Sequence, residues 1–145
     1  MKLVIVGDGE LRGYLEERAK GLGAEFAGQM ANSDVCKRMG ESRATVLPSE
    51  CWEGMPITLI ETFRRSTPSV VSNLGALPEF VQDGKFGEVF EAGNAEALAA
   101  AIKRLLARPD YNEMCKAARR EAETKYSEDA NYKRLMEIYE EVVSR

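Results

Sequence analysis

Short apolar runs alternate with amphipathic segments along most of the chain. The apolar runs are typical of buried parallel strands, and in the segments between them apolar residues recur at helical spacing. The predicted strands are Lys2–Val6, Ala24–Ala27, Ala44–Leu47, Ser69–Ser72 and Gly87–Phe90. The predicted helices are Glu10–Leu22, one capped by Asn32 or Ser33 that ends near Met39, Ile57–Phe63, Leu77–Val81, Asn94–Ala107, Tyr111–Lys125 and Glu128–Val143. This order predicts a Rossmann-like α/β fold, a three-layer arrangement with a parallel sheet between helices on both faces.

The loops that follow the strands are the candidate binding surface. Ligands of parallel α/β sheets bind at the carboxyl ends of the strands. We therefore expect Gly7–Gly9, Gly28–Ala31, Ser49–Met55 and Asn73–Leu77 to share one rim. The sequence shows no internal repeat, low-complexity segment or linker, so residues 1–145 are predicted to form one compact domain.

Composition narrows the class of protein. The chain has 145 residues, 44% of them hydrophobic and 30% charged, which is typical of a soluble globular domain. Its net charge of −4, with both signs mixed along the chain, argues against a nucleic-acid partner. No apolar run approaches the roughly 18–20 residues that span a bilayer, and the first residues do not resemble a signal peptide. The cytoplasm is the expected location.

The sequence lacks the commonest protein ligand of metal ions. There is no histidine, and the three cysteines show no Cys-x-x-Cys spacing. We therefore predict neither a metal site nor a disulfide framework. Any chemistry would have to rest on carboxylates, hydroxyls and backbone groups.

The segment from Ser49 to Glu61 carries the strongest chemical signal. A strand ends before it, and a helix begins near Pro56, a residue favoured in the first turn of a helix. The free N–H groups and the dipole of a helix N-terminus form an anion site that suits a phosphate. Gly54 allows close approach of the backbone to a ligand. Glu53 and Glu61 could accept hydrogen bonds from sugar hydroxyls on either side of a diphosphate.

The same segment resembles a known family. Glu53 and Glu61 are separated by seven residues, which is similar to the Glu-x7-Glu motif of glycosyltransferase family 4, retaining enzymes of the two-domain GT-B architecture. Flanking matches to the family follow in the expected order: Val4–Gly9, Phe26–Gly28, Pro48-Ser49, Pro68–Ser72, Gly75–Glu79, Asp83-Gly84 and Tyr126–Tyr139. The resemblance covers nearly the whole chain and implies the C-terminal, donor-binding domain of such an enzyme.

The resemblance also implies a role for each matched position. Glu53, the candidate catalytic residue, would contact hydroxyls of the transferred sugar, and Glu61 would contact the ribose hydroxyls. The distal phosphate would lie against the amides of the segment formed by Gly54, Met55, Pro56, Ile57 and Thr58. The phosphates and base would be flanked by Gly7, Gly9, Gly28, Gln29 and Met30, and Gly75 would lie on the same rim. The family needs no cofactor and no obligatory metal; its substrate is a UDP-, GDP- or ADP-sugar.

The chain departs from the family pattern in ways that predict a domain fragment. The family's Gly-Arg…Lys-Gly segment and its acceptor-binding N-terminal domain have no counterpart before Met1. Met55-Pro56 stands where Phe-Gly is usual, and Ser66 and Ala76 replace common glycines. We expect residues 127–143 to form the terminal helix that crosses to the absent domain. A membrane-associated acceptor would be bound through that domain.

Alternative interpretations come from other classes of protein. A non-catalytic nucleotide-sugar-binding or regulatory module would show the same residues. A nicotinamide-binding fold would share Gly7-Asp8-Gly9, but no acidic residue closes the second predicted strand. The interpretation as another GT-B-shaped enzyme, such as an epimerase or a phosphorylase, has less support. A phosphorylase would need a cofactor lysine site, and none is found. Trp52 and Phe63 are interpreted as side chains that pack against the protein rather than as surfaces on which a sugar ring stacks.

Overall fold

The computed structural model describes residues 1–144 and is a mixed α/β structure in which every paired strand is parallel. The strands are β1 (Leu3–Val6), β2 (Ala24–Gly28), β3 (Thr45–Leu47), β4 (Ser69–Ser72) and β5 (Gly87–Phe90). The helices are α1 (Arg12–Arg18), α2 (Asn32–Glu41), α3 (Ile57–Arg64), α4 (Leu77–Val81), α5 (Ala95–Ala107), α6 (Tyr111–Lys125) and α7 (Glu128–Val143).

The described chain divides into two compact units, one formed by Met1–Arg38 and the other beginning at Met39. In the first unit, β1 pairs with β2, and Leu3 lies opposite Ala24. In the second unit, the strands follow the order β3-β4-β5. The prediction that residues 1–145 form one domain stays a prediction.

The central strand of the second unit is buried on both faces. Successive strand residues point to opposite faces of a sheet, so Val70 and Val71 enter different parts of the core. Val71 packs in a cluster with residues of α3, α4 and α6, whereas Val70 packs with α5 and with Met114 of α6. All four residues of β4 are buried, as expected for a central parallel strand. Helices therefore cover both faces of this sheet, which confirms the predicted fold class.

The first two helices differ from their predicted bounds. The predicted helix Glu10–Leu22 is observed only over Arg12–Arg18, because the chain then turns through Gly21 and Gly23, which both have positive φ. Asn32 and Ser33, the two predicted caps of α2, both lie at the start of the helix. The helix already begins at Asn32, and the carbonyl of Ala31 accepts hydrogen bonds from the amides of Asp34 and Val35.

The last helix carries apolar side chains on its surface. α7 has no buried residue, and several large apolar side chains recur on it at helical spacing, namely Tyr132, Leu135, Met136, Tyr139, Val142 and Val143. Its role as a helix that crosses to another domain stays a prediction. Within residues 1–144, none of the helices combines the length and apolar character needed to span a bilayer.

Candidate functional site

The loop between β3 and α3 places Glu53 just before a helix N-terminus. β3 ends at Leu47 and α3 begins at Ile57. Pro56 is the N-cap of α3, with φ −76° and ψ 98°, so it precedes the first turn that it was predicted to occupy. No side chain in the described part of the chain caps this end of the helix. Because the first N–H groups of a helix lack partners within it, they remain available to an anion.

The backbone of Glu53 is held by the loop that follows β4. The amide of Ala76 donates a hydrogen bond of 2.9 Å to the carbonyl oxygen of Glu53. Gly75 has φ +57°, and a Cβ added there would lie 2.7 Å from the Glu53 nitrogen and closer still to its carbonyl oxygen. Only glycine fits this contact without displacement of the backbone. The structure thus brings together two predicted site residues, Glu53 and Gly75.

The carboxylate of Glu53 is held by side chains of its own loop. The Ser49 hydroxyl donates a hydrogen bond of 3.0 Å to Oε1 of Glu53. The thiol of Cys51 lies 3.9 Å from the same oxygen and is a weaker donor. The carboxylate is therefore held by neutral donors.

The remaining predicted residues of this loop and helix lie at or near the surface. Gly54, Met55, Ile57 and Thr58 are exposed, Pro56 is buried, and Glu61 is half-buried in α3. The space around a Cβ added at Gly54 is open to 4 Å, which leaves room for a ligand. The first turn of α3 is exposed, so a phosphate could reach its backbone amides.

Trp52 is not a packing group, contrary to its sequence interpretation. Its side chain is 83% exposed, whereas Phe63 is fully buried in the core as predicted. The difference arises because Phe63 lies on the inward face of α3, while Trp52 lies in the loop before it. An exposed indole beside Glu53 is available to a ligand.

In the first unit, the glycine after β1 and the last residue of β2, also a glycine, meet directly. The Gly7 amide donates a hydrogen bond of 2.8 Å to the carbonyl of Gly28, and both residues have positive φ. Gly9 and Gln29 are exposed and Met30 is half-buried. These predicted site residues lie at the carboxyl ends of their strands, as the fold requires of a binding loop.

Arg12 holds this glycine loop, although it was not among the predicted site residues. Its guanidinium donates to Asp8 at 3.3 Å, to the carbonyl of Phe26 at 3.4 Å and to Glu16 at 2.8 Å. The hydrogen bond and charge of Glu16 are the main reason that the pKa of Arg12 is raised. The guanidinium also lies 3.0 Å from the position of a Cβ at Gly28. Carboxylates four residues away on both sides, at Asp8 and Glu16, were the signal that could have indicated it.

A shallow cleft of about 240 Å³ lies beside this loop, lined by residues of β1, the glycine loop, α1 and Phe26. Among residues 1–144, no three Cys, Asp or Glu side chains cluster in a way that could hold a metal ion. Glu53, Glu61 and Gly75 belong to the second unit, and Gly7, Gly9 and Gly28 to the first. That the two sets share one rim stays a prediction.

Comparison with known proteins identifies related sequences and structures. A sequence model of the family described as glycosyl transferases group 1 matches residues 1–124. The chain is 31% identical over 146 residues to a phosphatidyl-myo-inositol mannosyltransferase of Mycobacterium leprae, covering 99% of this chain and 39% of that protein. It is 27% identical over 128 residues to the sulfoquinovosyl transferase SQD2 of Arabidopsis thaliana, covering 86% of this chain and 25% of that protein.

Solved structures show the same fold. A sucrose-phosphate synthase from Thermosynechococcus elongatus superposes with a TM-score of 0.83 at 23% identity, over 99% of this chain and 39% of that one. Anabaena HepE in complex with UDP-glucose also superposes with a TM-score of 0.83, at 19% identity, over 97% of this chain and 41% of that one. These are GT-B glycosyltransferase structures, and the chain spans about two fifths of their length.

Proposed function

The chain belongs to the family of glycosyl transferases group 1, and from that premise we propose that it binds the nucleoside-diphosphate sugar of a retaining glycosyltransferase. The parent reaction would transfer the sugar to an acceptor held by a further domain. The observation that carries this proposal is the position of Glu53, held at the carboxyl end of the sheet directly before the uncapped N-terminus of α3.

Each part of the donor has a matching group. The amides at the start of α3 would donate hydrogen bonds to the distal phosphate and stabilise the negative charge that develops on the departing diphosphate. Glu53 would accept a hydrogen bond from a hydroxyl of the transferred sugar, and Glu61 from the ribose. The glycine loop held by Arg12 would flank the phosphates and base. The UDP-glucose bound to HepE, a structure of the same fold, supports this class of ligand.

Calorimetric titration with three pairs of ligands tests the proposal: UDP and UDP-glucose, GDP and GDP-mannose, ADP and ADP-glucose. We expect one pair to bind. A ligand at about 100 times its dissociation constant would stabilise the fold by about 2.7 kcal/mol, which a thermal melt detects. Trp52, the single tryptophan of the chain, is exposed beside Glu53 and provides a fluorescence signal for the same titration.

Substitution of the two glutamates assigns their roles. We expect Glu61→Ala to lower the affinities for the nucleotide and for the nucleotide sugar equally, by about 10- to 100-fold. This is the cost of a lost hydrogen bond to a charged group. Glu53→Ala should lower the affinity for the nucleotide sugar and leave the affinity for the nucleotide unchanged. Glu50→Ala removes an exposed carboxylate from the same loop and is the matched control. Absence of binding by all six ligands, or equal loss in all three variants, would contradict the proposal.

A further inference from the structure

The two oxygens of the Glu53 carboxylate are in different environments. Oε1 accepts the hydrogen bond from Ser49 at 3.0 Å and lies 3.9 Å from the thiol of Cys51. Oε2 accepts no hydrogen bond from any residue that the structure describes. One oxygen is thus committed to the protein, and the other is open to solvent or to a ligand.

Ser49 is itself held by a residue of the buried sheet. The Ser72 hydroxyl donates a hydrogen bond of 2.7 Å to the carbonyl oxygen of Ser49. Ser72 is the last residue of β4 and is fully buried. A continuous chain of hydrogen bonds therefore runs from the central strand, through Ser49, to the carboxylate.

We propose that Ser49 and Ser72 are positioning residues that orient Glu53 so that Oε2 accepts a hydrogen bond from a hydroxyl of the transferred sugar. This inference rests on the proposed function. A carboxylate that is already held in place loses less side-chain freedom when a ligand binds, so more of the hydrogen-bond energy appears as affinity. Two neutral hydroxyls achieve this without the positive charge that would compete with the sugar for the carboxylate.

A second serine of the same strand shows that burial alone does not explain Ser72. Ser69 and Ser72 are both fully buried in β4. Among residues 1–144, the hydroxyl of Ser69 has no hydrogen-bond partner, whereas that of Ser72 holds the Glu53 loop. Ser69→Ala is therefore a matched control for Ser72→Ala, because it removes the same atom at the same depth without touching the loop.

The test separates positioning from general support of the loop. The affinity of the chain for each nucleotide and for its sugar derivative is measured by calorimetry, with the three ligand pairs named above. The quantity compared among variants is the ratio of the two dissociation constants, which is the gain in affinity that the sugar provides. A role in folding alone would lower the affinity for both ligands by the same factor and would leave this ratio unchanged.

We expect Ser49→Ala to reduce the sugar's gain in affinity by about 2- to 12-fold, the range for one net hydrogen bond, with little change in affinity for the bare nucleotide. Ser49→Thr keeps a hydroxyl and should restore the gain. Ser72→Ala should reduce it in the same direction, whereas Ser69→Ala should leave it unchanged.

Two results would overturn the inference, and they are distinguishable. If the unmodified chain binds a nucleotide and its sugar but Ser49→Ala leaves their ratio unchanged, the positioning role is wrong and the proposed function stands. If the unmodified chain binds none of the six ligands, the proposed function is wrong and the positioning role is wrong with it.

Discussion

At the scale of single residues, the position of Glu53 depends on the absence of a side chain at residue 75. The amide of Ala76 bonds to the carbonyl of Glu53, and Gly75 lies directly against the same peptide unit. Any Cβ at position 75 would force the two loops apart. A glycine is therefore needed here for a close approach of two backbones as well as for its positive φ.

Gly75→Ala should destabilise the chain and displace Glu53. We expect a loss of about 2–4 kcal/mol, because a steric clash with the backbone is added to the strain of a positive φ. Gly93→Ala is the control, since Gly93 has φ +74° but open space around its Cβ. It should lose only about 1 kcal/mol. Urea unfolding midpoints measure both, and equal losses would show that the contact with Glu53 has no energetic role.

At the scale of secondary-structure elements, a set of ion pairs joins β5 to α5 and to the turn between α5 and α6. Glu88 of β5 is buried and pairs with Arg104 at 2.9 Å and with Arg108 at 3.3 Å. Arg108 also pairs with Asp110, the residue before α6, at 2.8 Å. The sequence pattern predicted each of these elements, but it did not indicate the ion pairs that connect them.

The pair between Arg108 and Asp110 should make stability depend on pH. The hydrogen bond from Arg108 is the main cause that lowers the pKa of Asp110. A carboxyl with a lowered folded-state pKa contributes its stability above its unfolded value, about 3.9, and loses it as pH falls through the folded value. We expect the unfolding midpoint of the unmodified chain to fall more between pH 5 and pH 3 than that of Asp110→Asn.

The effect is small because Asp110 is exposed and its charge is screened by solvent. Urea midpoints measured across this pH range, at low salt and at about 1 M salt, provide the comparison. The difference between the two proteins should shrink at high salt. Parallel pH profiles at low salt would contradict a role for this pair.

The N-terminus of α5 offers a separate test at the same scale. The Asn94 side chain caps it by accepting a hydrogen bond of 2.9 Å from the Ala97 amide. Asn94→Ala should cost about 1 kcal/mol in the free energy of unfolding. Ser127→Ala removes the corresponding cap of α7, a helix without buried residues, and should have a smaller effect on global unfolding. A larger loss for Ser127→Ala would show that α7 packs more firmly than its exposure indicates.

At the scale of the whole molecule, the two compact units differ in how much they bury. Between Met1 and Arg38, the buried residues are Gly28 and Cys36. The second unit has two hydrophobic clusters, one on each face of its sheet. Local stability follows buried apolar contacts, so the two units should differ in how readily they open.

Amide hydrogen exchange should reveal this difference. We expect the amides of β4 to exchange most slowly, because this strand is fully buried and pairs with a strand on each side. The amides of β1 and β2 should exchange faster by at least about tenfold, equivalent to 1.4 kcal/mol in opening free energy. Equal protection in both sheets would show that the chain opens as one cooperative unit.

Most of the element order could be predicted from the sequence. The bounds of β4, α4, β5, α6 and α7 agree with the prediction, because each is delimited by Gly, Pro, Ser or Asp residues next to a regular apolar pattern. The bounds of α1 could not be predicted, since apolar spacing continues to Leu22 although the backbone turns earlier. Glu53 and Gly75 were among the predicted site residues, whereas Arg12, Ser49 and Ser72 were not.

The sequence by itself determined the succession of strands and helices, the glycine-bearing loops at the strand ends and the glutamate spacing that identifies the family. These properties arise from interactions between residues a few positions apart, and such interactions leave a periodic pattern in the chain. The tertiary structure alone decided that Trp52 is exposed, that Gly75 packs against Glu53 and that Ser72 holds Ser49. Ser49 and Ser72 are 23 positions apart, and the two partners of such a contact become neighbours only when the sheet assembles. The loop sequence thus specifies a carboxylate, and the pairing of β3 with β4 brings Ser72 to the serine that holds one of its oxygens.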